Sequence, residues 1–334
     1  MEHPVRSDVR VALCETHPAL RSGFQTALFR RGMREMEICK DSGSLLNLLN
    51  NQIIDLVICA TDLPGLDFCD MMQQIRHGTI GRNPFTLVLA TVGDATIDDI
   101  RRIVNAGVDR VVRKPMSMGD MVACVNALAS TRKPFVATES YVGPSRRAAG
   151  RTEVDAGEVM EVPNTLSAKL GGGDMPDARV EGMIDKGMSS LTRLRAHNSC
   201  LAISRSVTRI AQHFQRNGQG RITNELARLL SMSEAVDRRY RGTANAHLAE
   251  VAVSLGMLVD VLQALPAESS RNLTVTVELL EKLGEVIRLV DQSDPHVAKT
   301  VQSIAETVRG FANGMVGGGP AVHMGHRIRA ASFS

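Results

Sequence analysis

Several residues that can carry charge or form hydrogen bonds follow short apolar runs in the first third of the chain. Five of them are Glu15, Thr16, Asp62, Thr91 and Lys114. If the apolar runs are neighbouring parallel strands, these side chains lie at the carboxyl ends of the strands, where open α/β sheets bind their ligands. A carboxylate, a hydroxyl and an amine at this edge would bind a polar or charged ligand.

Five apolar runs are short enough to be strands that are buried on both faces of a parallel sheet. They comprise residues 9–14, 36–39, 56–60, 86–90 and 110–112. The segments between them have helical spacing, among them residues 19–30, 66–76, 97–105 and 119–130. Because strands alternate with helices, the sequence predicts right-handed crossovers and an α/β fold with an open, doubly wound five-stranded sheet.

The motifs at these strand ends resemble those of the response-regulator receiver (CheY-like) family, which has a flavodoxin-like fold. The resemblance covers residues 8–131 and rests on Glu15-Thr16-His17-Pro18, Asp62-Leu63-Pro64-Gly65, Gly93-Asp94 and Lys114-Pro115. In that family an acidic pair holds Mg²⁺ and an aspartate at the end of the third strand accepts phosphate. A hydroxyl at the end of the fourth strand contacts the phosphoryl group, and a lysine neutralises it.

The resemblance, carried over one position at a time, predicts that this chain has lost the phosphoacceptor. The family's acidic pair falls on Glu15 and Thr16, so one carboxylate remains. The phosphoacceptor position falls on Ala60, four residues before Pro64, and a methyl group cannot accept phosphate. The chain is therefore expected to contain a pseudo-receiver.

The other positions of this degenerate pocket predict an ion pair in place of a metal and phosphate site. The hydroxyl position falls on Ala90, with Thr91 one residue later, and only Lys114 keeps the residue type of the family. Mg²⁺ needs several oxygen ligands. Glu15 and Asp62 are the remaining carboxylates, so we expect a weak Mg²⁺ site at best and no cofactor. Lys114 is expected to pair with Glu15.

Asp62 has two interpretations. It is the carboxylate nearest to the missing acceptor and is the alternative phosphorylation site in the receiver. Its other role is to initiate the turn that continues into Leu63-Pro64-Gly65, since aspartate is common at such positions. His17 precedes Pro18 and is expected to be a surface residue in the first turn of a helix rather than a metal ligand.

Residues 132–181 have the composition of a flexible linker, with many Gly, Ala, Glu and Asp residues that cannot bury a core. Within it, residues 141–147 are similar to Y-x-G-P-x-R-R stretches that follow receivers in some alphaproteobacterial response regulators. This segment is either a peptide that docks back on a neighbouring surface or a solvated linker with one aromatic residue.

Residues 182–316 have the periodicity of an α-helical bundle, followed by a disordered tail at 317–334. Breaks near Gly218, Gly242, Pro266 and Pro295 separate about five helices. The fourth of these is apolar on two faces, which requires two neighbouring helices or one neighbour and a second copy of the chain. Homodimerisation through the bundle is therefore an expected partner interaction.

The sequence leaves three alternative functions for the helical bundle. Histidine phosphotransfer would use His247, but Glu250 stands where such modules carry a lysine, and a carboxylate repels phosphate. Residues 225–239 superficially resemble a helix-turn-helix, as in a DNA-binding response regulator, but no turn signal separates the two halves. A helical interaction module requires nothing that the sequence lacks. No catalytic constellation is present, so we predict no enzyme.

Composition restricts the partners further. The net charge is +3 and aromatic residues make up 3% of the chain, so neither a basic field nor stacking platforms favour nucleic acid. The six cysteines form no C-x-x-C pair, as expected in a reducing cytoplasm. No N-terminal signal segment is predicted, and no apolar run approaches the ~20 residues needed to span a bilayer, so we expect a soluble protein that is not exported.

Together these features predict an atypical response regulator of two-component, phosphorelay or chemotaxis-like signalling. It would act through protein contacts rather than through aspartyl phosphorylation, with a kinase, a chemotaxis protein or another regulatory protein as its partner. The resemblance implies that residues 97–127, the α4-β5-α5 face of the receiver family, form the partner surface.

Overall fold

A computed structural model describes residues 7–138, 140–146, 158–171, 175–217, 223–243, 245–265, 270–289 and 295–316. The chain divides into two compact units, Met1–Arg195 and Ala196–Ser334. We describe each unit by itself.

The first unit contains a parallel sheet with helices between its strands. The strands are β1 (Ser7–Cys14), β2 (Met33–Ile38), β3 (Leu56–Ala60), β4 (Leu87–Val92) and β5 (Arg110–Arg113). The helices are α1 (Pro18–Phe29), α2 (Ser42–Asn51), α3 (Phe68–His77), α4 (Ile97–Asn105) and α5 (Met118–Ser130). The strand order is β2-β1-β3-β4-β5 with parallel neighbours, which confirms the predicted doubly wound sheet.

Local sequence explains where the elements begin and end. Every residue of β3 and β4 is buried, because helices cover both faces of a parallel sheet. Capping boxes start α4 at Thr96 and α5 at Ser117, so each helix begins a few residues after a strand. β4 extends to Val92, beyond the predicted end at residue 90, which places Thr91 inside the strand.

The sequence predicted a flexible linker at 132–181, but the described residues of this segment are folded. They form β6 (Phe135–Ala137), β7 (Val142–Pro144), β8 (Val159–Met160) and α6 (Thr165–Leu170). The three strands make an antiparallel sheet in the order β7-β6-β8. We call the described residues of 132–171 the strap. Two of its apolar side chains are fully buried, Phe135 beside Phe85 and Leu166 in the core around β1 and α5.

A buried cluster of charges joins the strap to the sheet. The Asp109 carboxylate lies 2.7 Å from the Arg76 guanidinium and 3.2 Å from that of Arg132. Both guanidinium groups lie over the Phe135 ring, at 5.3 and 4.9 Å from its centroid. Burial lowers the pKa of Arg132 to about 10, against the opposing effect of Asp109.

The described residues of the Y-x-G-P-x-R-R segment, 141–146, pack against the loop before β5. This is the docking that one of the two interpretations predicted. An added Cβ on Gly143 would lie 2.8 Å from the Cα of Gly107, so only glycine allows this approach of two backbones. The Arg146 guanidinium donates to the carbonyl of Val108. Arg147 lies outside the described residues.

A second buried ion pair fixes α6. The Lys169 amine lies 2.9 Å from the Asp55 carboxylate, with side chains that are 2% and 0% exposed. Lys169 also donates to the carbonyl of Asp8, and the same Asp55 oxygen accepts from the backbone N–H of Arg10. Charges buried this deeply are stable only while they remain paired.

The second unit is helical, and its first helix begins in the first unit. α7 (Asp177–Asn217) crosses the division after Arg195 and is followed by α8 (Thr223–Tyr240), α9 (Ala246–Ala264), α10 (Ser270–Leu289) and α11 (Pro295–Val316). The predicted helical bundle and the position of Pro295 at a helix start are confirmed. The predicted boundary at 182 differs, because Val180 and Ile184 of α7 are buried in the same core as Phe85.

α9 is a helix that the sequence analysis did not recognise as a candidate membrane span. It has 19 residues and a mean hydropathy of 1.4, which is long and apolar enough to cross a bilayer. Its most apolar window is 61% buried, and Leu255 and Leu258 are fully buried in the helical core. A buried core helix can be as long and as apolar as a membrane-spanning helix, so α9 is only weak evidence for a membrane span.

The bundle itself supplies neighbours for both apolar faces of α10. Leu280 and Leu283 are fully buried in the core that α9 shares, and Leu279 and Val286 are partly buried against it. Val290 lies outside the described residues. Homodimerisation therefore stays a prediction. The packing within the bundle weakens its support, because residues on both apolar faces of α10 already contact the helical core.

We predict that the Lys169→Ala substitution destabilises the first unit by about 3 kcal/mol, because it leaves the Asp55 carboxylate buried without its cation. The free energy of unfolding can be measured by urea titration with circular dichroism. Lys186→Ala, which truncates an exposed lysine of α7, is the matched control and should change stability by less than about 0.5 kcal/mol. Equal effects of the two substitutions would show that the strap does not depend on this pair.

Candidate functional site

The strand register brings the predicted pocket residues together. Cys14 lies opposite Cys59 in the pairing of β1 with β3, which puts Glu15 next to Ala60 at the strand ends. Ala60 lies opposite Thr91 in the pairing of β3 with β4. Lys114 follows the end of β5, the neighbouring strand. The candidate site is therefore at the carboxyl edge of the sheet, where the sequence predicted it.

The predicted ion pair between Glu15 and Lys114 is confirmed. The Lys114 amine lies 2.9 Å from one carboxylate oxygen of Glu15 and 3.1 Å from the other. The Glu15 side chain is 1% exposed and that of Lys114 is 17% exposed. Glu15 also accepts from the backbone N–H of His17 at 3.0 Å and from the Thr91 hydroxyl at 3.5 Å.

His17 has a structural role at the start of α1. Its ring accepts a 3.5 Å hydrogen bond from the backbone N–H of Leu20 and caps the helix. Its own backbone N–H orients the Glu15 carboxylate. The sequence analysis predicted a surface residue in the first helical turn, which this arrangement confirms, but it did not find the link to Glu15.

The two alanines of the predicted pocket are buried, whereas two of its polar residues face solvent. Ala60 and Ala90 are both fully buried. Thr16 and Asp62 are exposed, so neither side chain joins Glu15 inside the protein. Within the described residues, no group of three or more His, Cys, Asp or Glu side chains is arranged to hold a metal ion.

The turn after β3 is held by contacts that the sequence analysis missed. The Ser42 hydroxyl at the start of α2 accepts from the backbone N–H of Leu66 at 2.8 Å. An added Cβ on Gly65, which has φ +113°, would meet that hydroxyl at 2.1 Å. Asp67 caps α3 and pairs with Arg102 of α4 at 3.0 Å. The Asp70 backbone N–H, followed by Arg102, lowers the pKa of Asp67.

Three cysteines lie side by side at neighbouring strands, and two of them, Cys14 and Cys59, directly precede the pocket residues Glu15 and Ala60. Cys39, Cys14 and Cys59 occupy adjacent strand positions and are buried in one core cluster. Hydrogen bonds with Cys39 and Cys59, together with burial, raise the pKa of Cys14, and the contact with Cys14 lowers the pKa of Cys39. All six cysteines are free thiols, and these three pack as small apolar residues beneath Glu15 and Ala60.

The two candidate motifs of the bundle are also placed. α8 is one continuous helix over Thr223–Tyr240, so the suspected helix-turn-helix at 225–239 contains no turn. His247 is the second residue of α9, as predicted, and its side chain is partly buried. Glu250 lies one turn later and gives this position a carboxylate neighbour.

The model of the response regulator receiver domain family matches residues 11–126. A curated sensor histidine kinase, AruS from Pseudomonas aeruginosa, is 30% identical over 115 residues, which are 34% of this chain. The chain spans only 11% of the length of that kinase.

Solved structures to which this chain is similar include a CheY-like receiver domain protein from Methanospirillum hungatei, which is 19% identical with a TM-score of 0.32. It aligns over 35% of this chain and 90% of its own. Another is the receiver domain of sensor histidine kinase PA1611 from Pseudomonas aeruginosa, with magnesium in its active-site cleft. It is 21% identical, with a TM-score of 0.31, and aligns over 35% of this chain and 93% of its own. Residues 11–126 of this chain are a CheY-like response regulator receiver domain, the domain of two-component signalling, and a region of long helices follows it.

Proposed function

We propose that this protein is an atypical response regulator whose receiver domain works through protein contacts and not through aspartyl phosphorylation. The observation that carries the proposal is the Glu15 to Lys114 ion pair beside Ala60. The nucleophile position has no nucleophile, and the lysine that would neutralise a phosphoryl group is already paired.

Electrostatics support this reading. A pocket with several carboxylates needs a cation such as Mg²⁺ to balance its charge, whereas Glu15 and Lys114 balance each other. Moving Lys114 towards a phosphate would leave Glu15, which is 1% exposed, without its cation. The pocket therefore favours a single arrangement, with no covalent step to change it.

The partner surface proposed for the receiver domain is the face formed by α4, β5 and α5. Its clearest apolar feature is Ile97 at the start of α4, which is 70% exposed. Signalling proteins such as a kinase or a chemotaxis protein are the class of partner that this domain implies. The bundle would be a helical interaction module, and no enzymatic output is part of the proposal.

DNA is not among the proposed partners, because the motif that suggested it lies in the continuous helix α8. A cytoplasmic location belongs to the proposal and agrees with free thiols in the core. Output would then depend on the abundance of the protein or on binding of a partner or ligand.

We predict that the unmodified protein gains no phosphoryl group when it is incubated with acetyl phosphate and Mg²⁺. A variant carrying Thr16→Asp and Ala60→Asp should gain one, because it regains the acidic pair and the nucleophile next to Thr91 and Lys114. Intact-protein mass spectrometry gives the readout. The matched control is Thr16→Asp with Ala60→Asn, which has nearly the same shape and charge pattern but no nucleophile.

Labelling of the unmodified protein would contradict the pseudo-receiver proposal. Asp62→Asn and His247→Gln variants would then identify which alternative site carries the phosphoryl group. Acid-stable and acid-labile adducts should also be compared, because acyl phosphates survive mild acid whereas phosphohistidine does not.

A second prediction concerns the ion pair itself. Glu15→Gln and Lys114→Gln should each lower the free energy of unfolding by about 2 kcal/mol, which is between the values for exposed and fully buried pairs. The double variant should lose clearly less than the sum of both, because each single change leaves one charge unpaired. Urea titration followed by circular dichroism measures the three values.

The exposed pair between Arg101 and Asp98 provides the control for this cycle. Its side chains are 72% and 88% exposed, so Arg101→Gln should cost less than about 0.5 kcal/mol. If the losses from Glu15→Gln and Lys114→Gln simply add, the two groups do not interact in solution and the main support for the proposal is lost.

A further inference from the structure

A groove lies between α7 and α10 within the second unit, with a volume of 560 Å³. The two helices approach closely at Gly284, where an added Cβ would lie 2.9 Å from a methyl group of Val207. Val275 and Leu279 of α10 are only partly buried and contribute apolar surface to the groove. The groove therefore offers an apolar floor to a peptide.

The rim of this groove is acidic. Glu278, Glu281 and Glu285 line it together with a single cation, Lys282. The Lys282 amine lies 3.2 Å from the Glu285 carboxylate, so that pair is neutral. Glu278 and Glu281 have no ion pair among the described residues. An occupant of this groove should therefore combine apolar side chains with positive charge.

Residues 321–334 of the same chain have this composition. Residues 321–334 contain Arg327 and Arg329 together with His323 and His326, and no Asp or Glu. Their larger apolar residues are Val322, Met324, Ile328 and Phe333. These residues lie outside the described part of the chain. We propose that residues 321–334 bind in the α7–α10 groove, with apolar side chains on its floor and arginines against Glu278 and Glu281.

Tethering makes this occupant more favourable than a separate peptide of equal affinity. α11 ends at Val316 in the same unit, and the next four residues, Gly317-Gly318-Gly319-Pro320, have no bulky side chains. Phe333 follows Val316 by 17 residues, and a Gly-rich coil of 17 residues has an end-to-end distance of roughly 20–25 Å, comparable with the ~30 Å length of a helix such as α10. Effective concentrations of such tethers are on the order of millimolar, so even a weak complex is populated.

The inference does not depend on the receiver pocket, because every residue that lines the groove lies in the second unit. Glu278 at the rim is exposed and Glu281 is partly exposed, so salt should weaken the complex. A second copy of the chain could present the same residues in trans, and a separate basic peptide could compete for the groove. The experiment therefore separates binding within one chain from binding between chains.

The test uses the full chain with the photoreactive residue benzoylphenylalanine incorporated in place of Phe333. Irradiation followed by digestion and mass spectrometry should link the peptide containing position 333 to peptides that contain residues 204–208 or 275–285, within a monomer. The Glu278→Lys/Glu281→Lys variant should reduce the yield of this cross-link about tenfold, and 0.5 M salt should reduce it as well.

The matched control reverses two exposed glutamates of α8 that do not line the groove, in the Glu225→Lys/Glu234→Lys variant. It has the same net charge as the groove variant and should keep the cross-link. Circular dichroism should show that both variants stay helical. Cross-links confined to other surfaces, cross-links found only in a covalent dimer, or equal losses in both double variants would each overturn the proposal.

Discussion

One buried carboxylate, Asp109, joins the two parts of the first unit. It precedes β5 and accepts from the guanidinium groups of Arg76 and Arg132 and from the backbone N–H of Val88. Arg76 belongs to α3 of the receiver domain, and Arg132 belongs to the strap. A carboxylate at 3% exposure is costly unless it is fully paired, so the receiver domain and the strap must fold together.

The Lys169 to Asp55 pair repeats this arrangement at the neighbouring strand, since Asp55 precedes β3. Both pairs therefore lie at the amino ends of the strands, opposite to the edge that carries Glu15 and Lys114. The amino edge contains the buried ion pairs that attach the strap, and the carboxyl edge contains the residues of the candidate site. A folded segment beyond residue 131 can thus be part of the unit without covering the pocket.

The sequence predicted the carboxyl edge well because its signals are local. Each pocket residue follows a short apolar run, and the parallel order of the strands brings the run ends together. The Glu15 to Lys114 pair could be predicted from the proposed loss of the acceptor at Ala60, since an amine without its usual partner favours the nearest carboxylate. The end of β4 was misplaced by two residues, because Thr91 and Val92 have strand propensity but follow the expected motif position.

The strap could not be predicted in the same way, because its stability is long-range. Composition of residues 132–181 is dominated by small and charged residues, and this masks the few that matter, such as Phe135 and Leu166. Phe135 packs against Phe85, and Leu166 packs in the core around β1 and α5. These partners lie far earlier in the sequence. Gly107 and Gly143 each look like ordinary turn glycines in sequence, and only the packed structure shows that their backbones meet.

These two edges also limit how the protein can be regulated. A conventional receiver changes state when a phosphoryl group adds charge at the carboxyl edge, and the new charge repositions its lysine and hydroxyl. Under the proposed function, the charge of Lys114 is already balanced by Glu15, and the energy for a change of state comes from binding that favours one conformation over another. A partner that contacts only one state can supply it, whereas abundance alone changes the amount of complex without changing the protein.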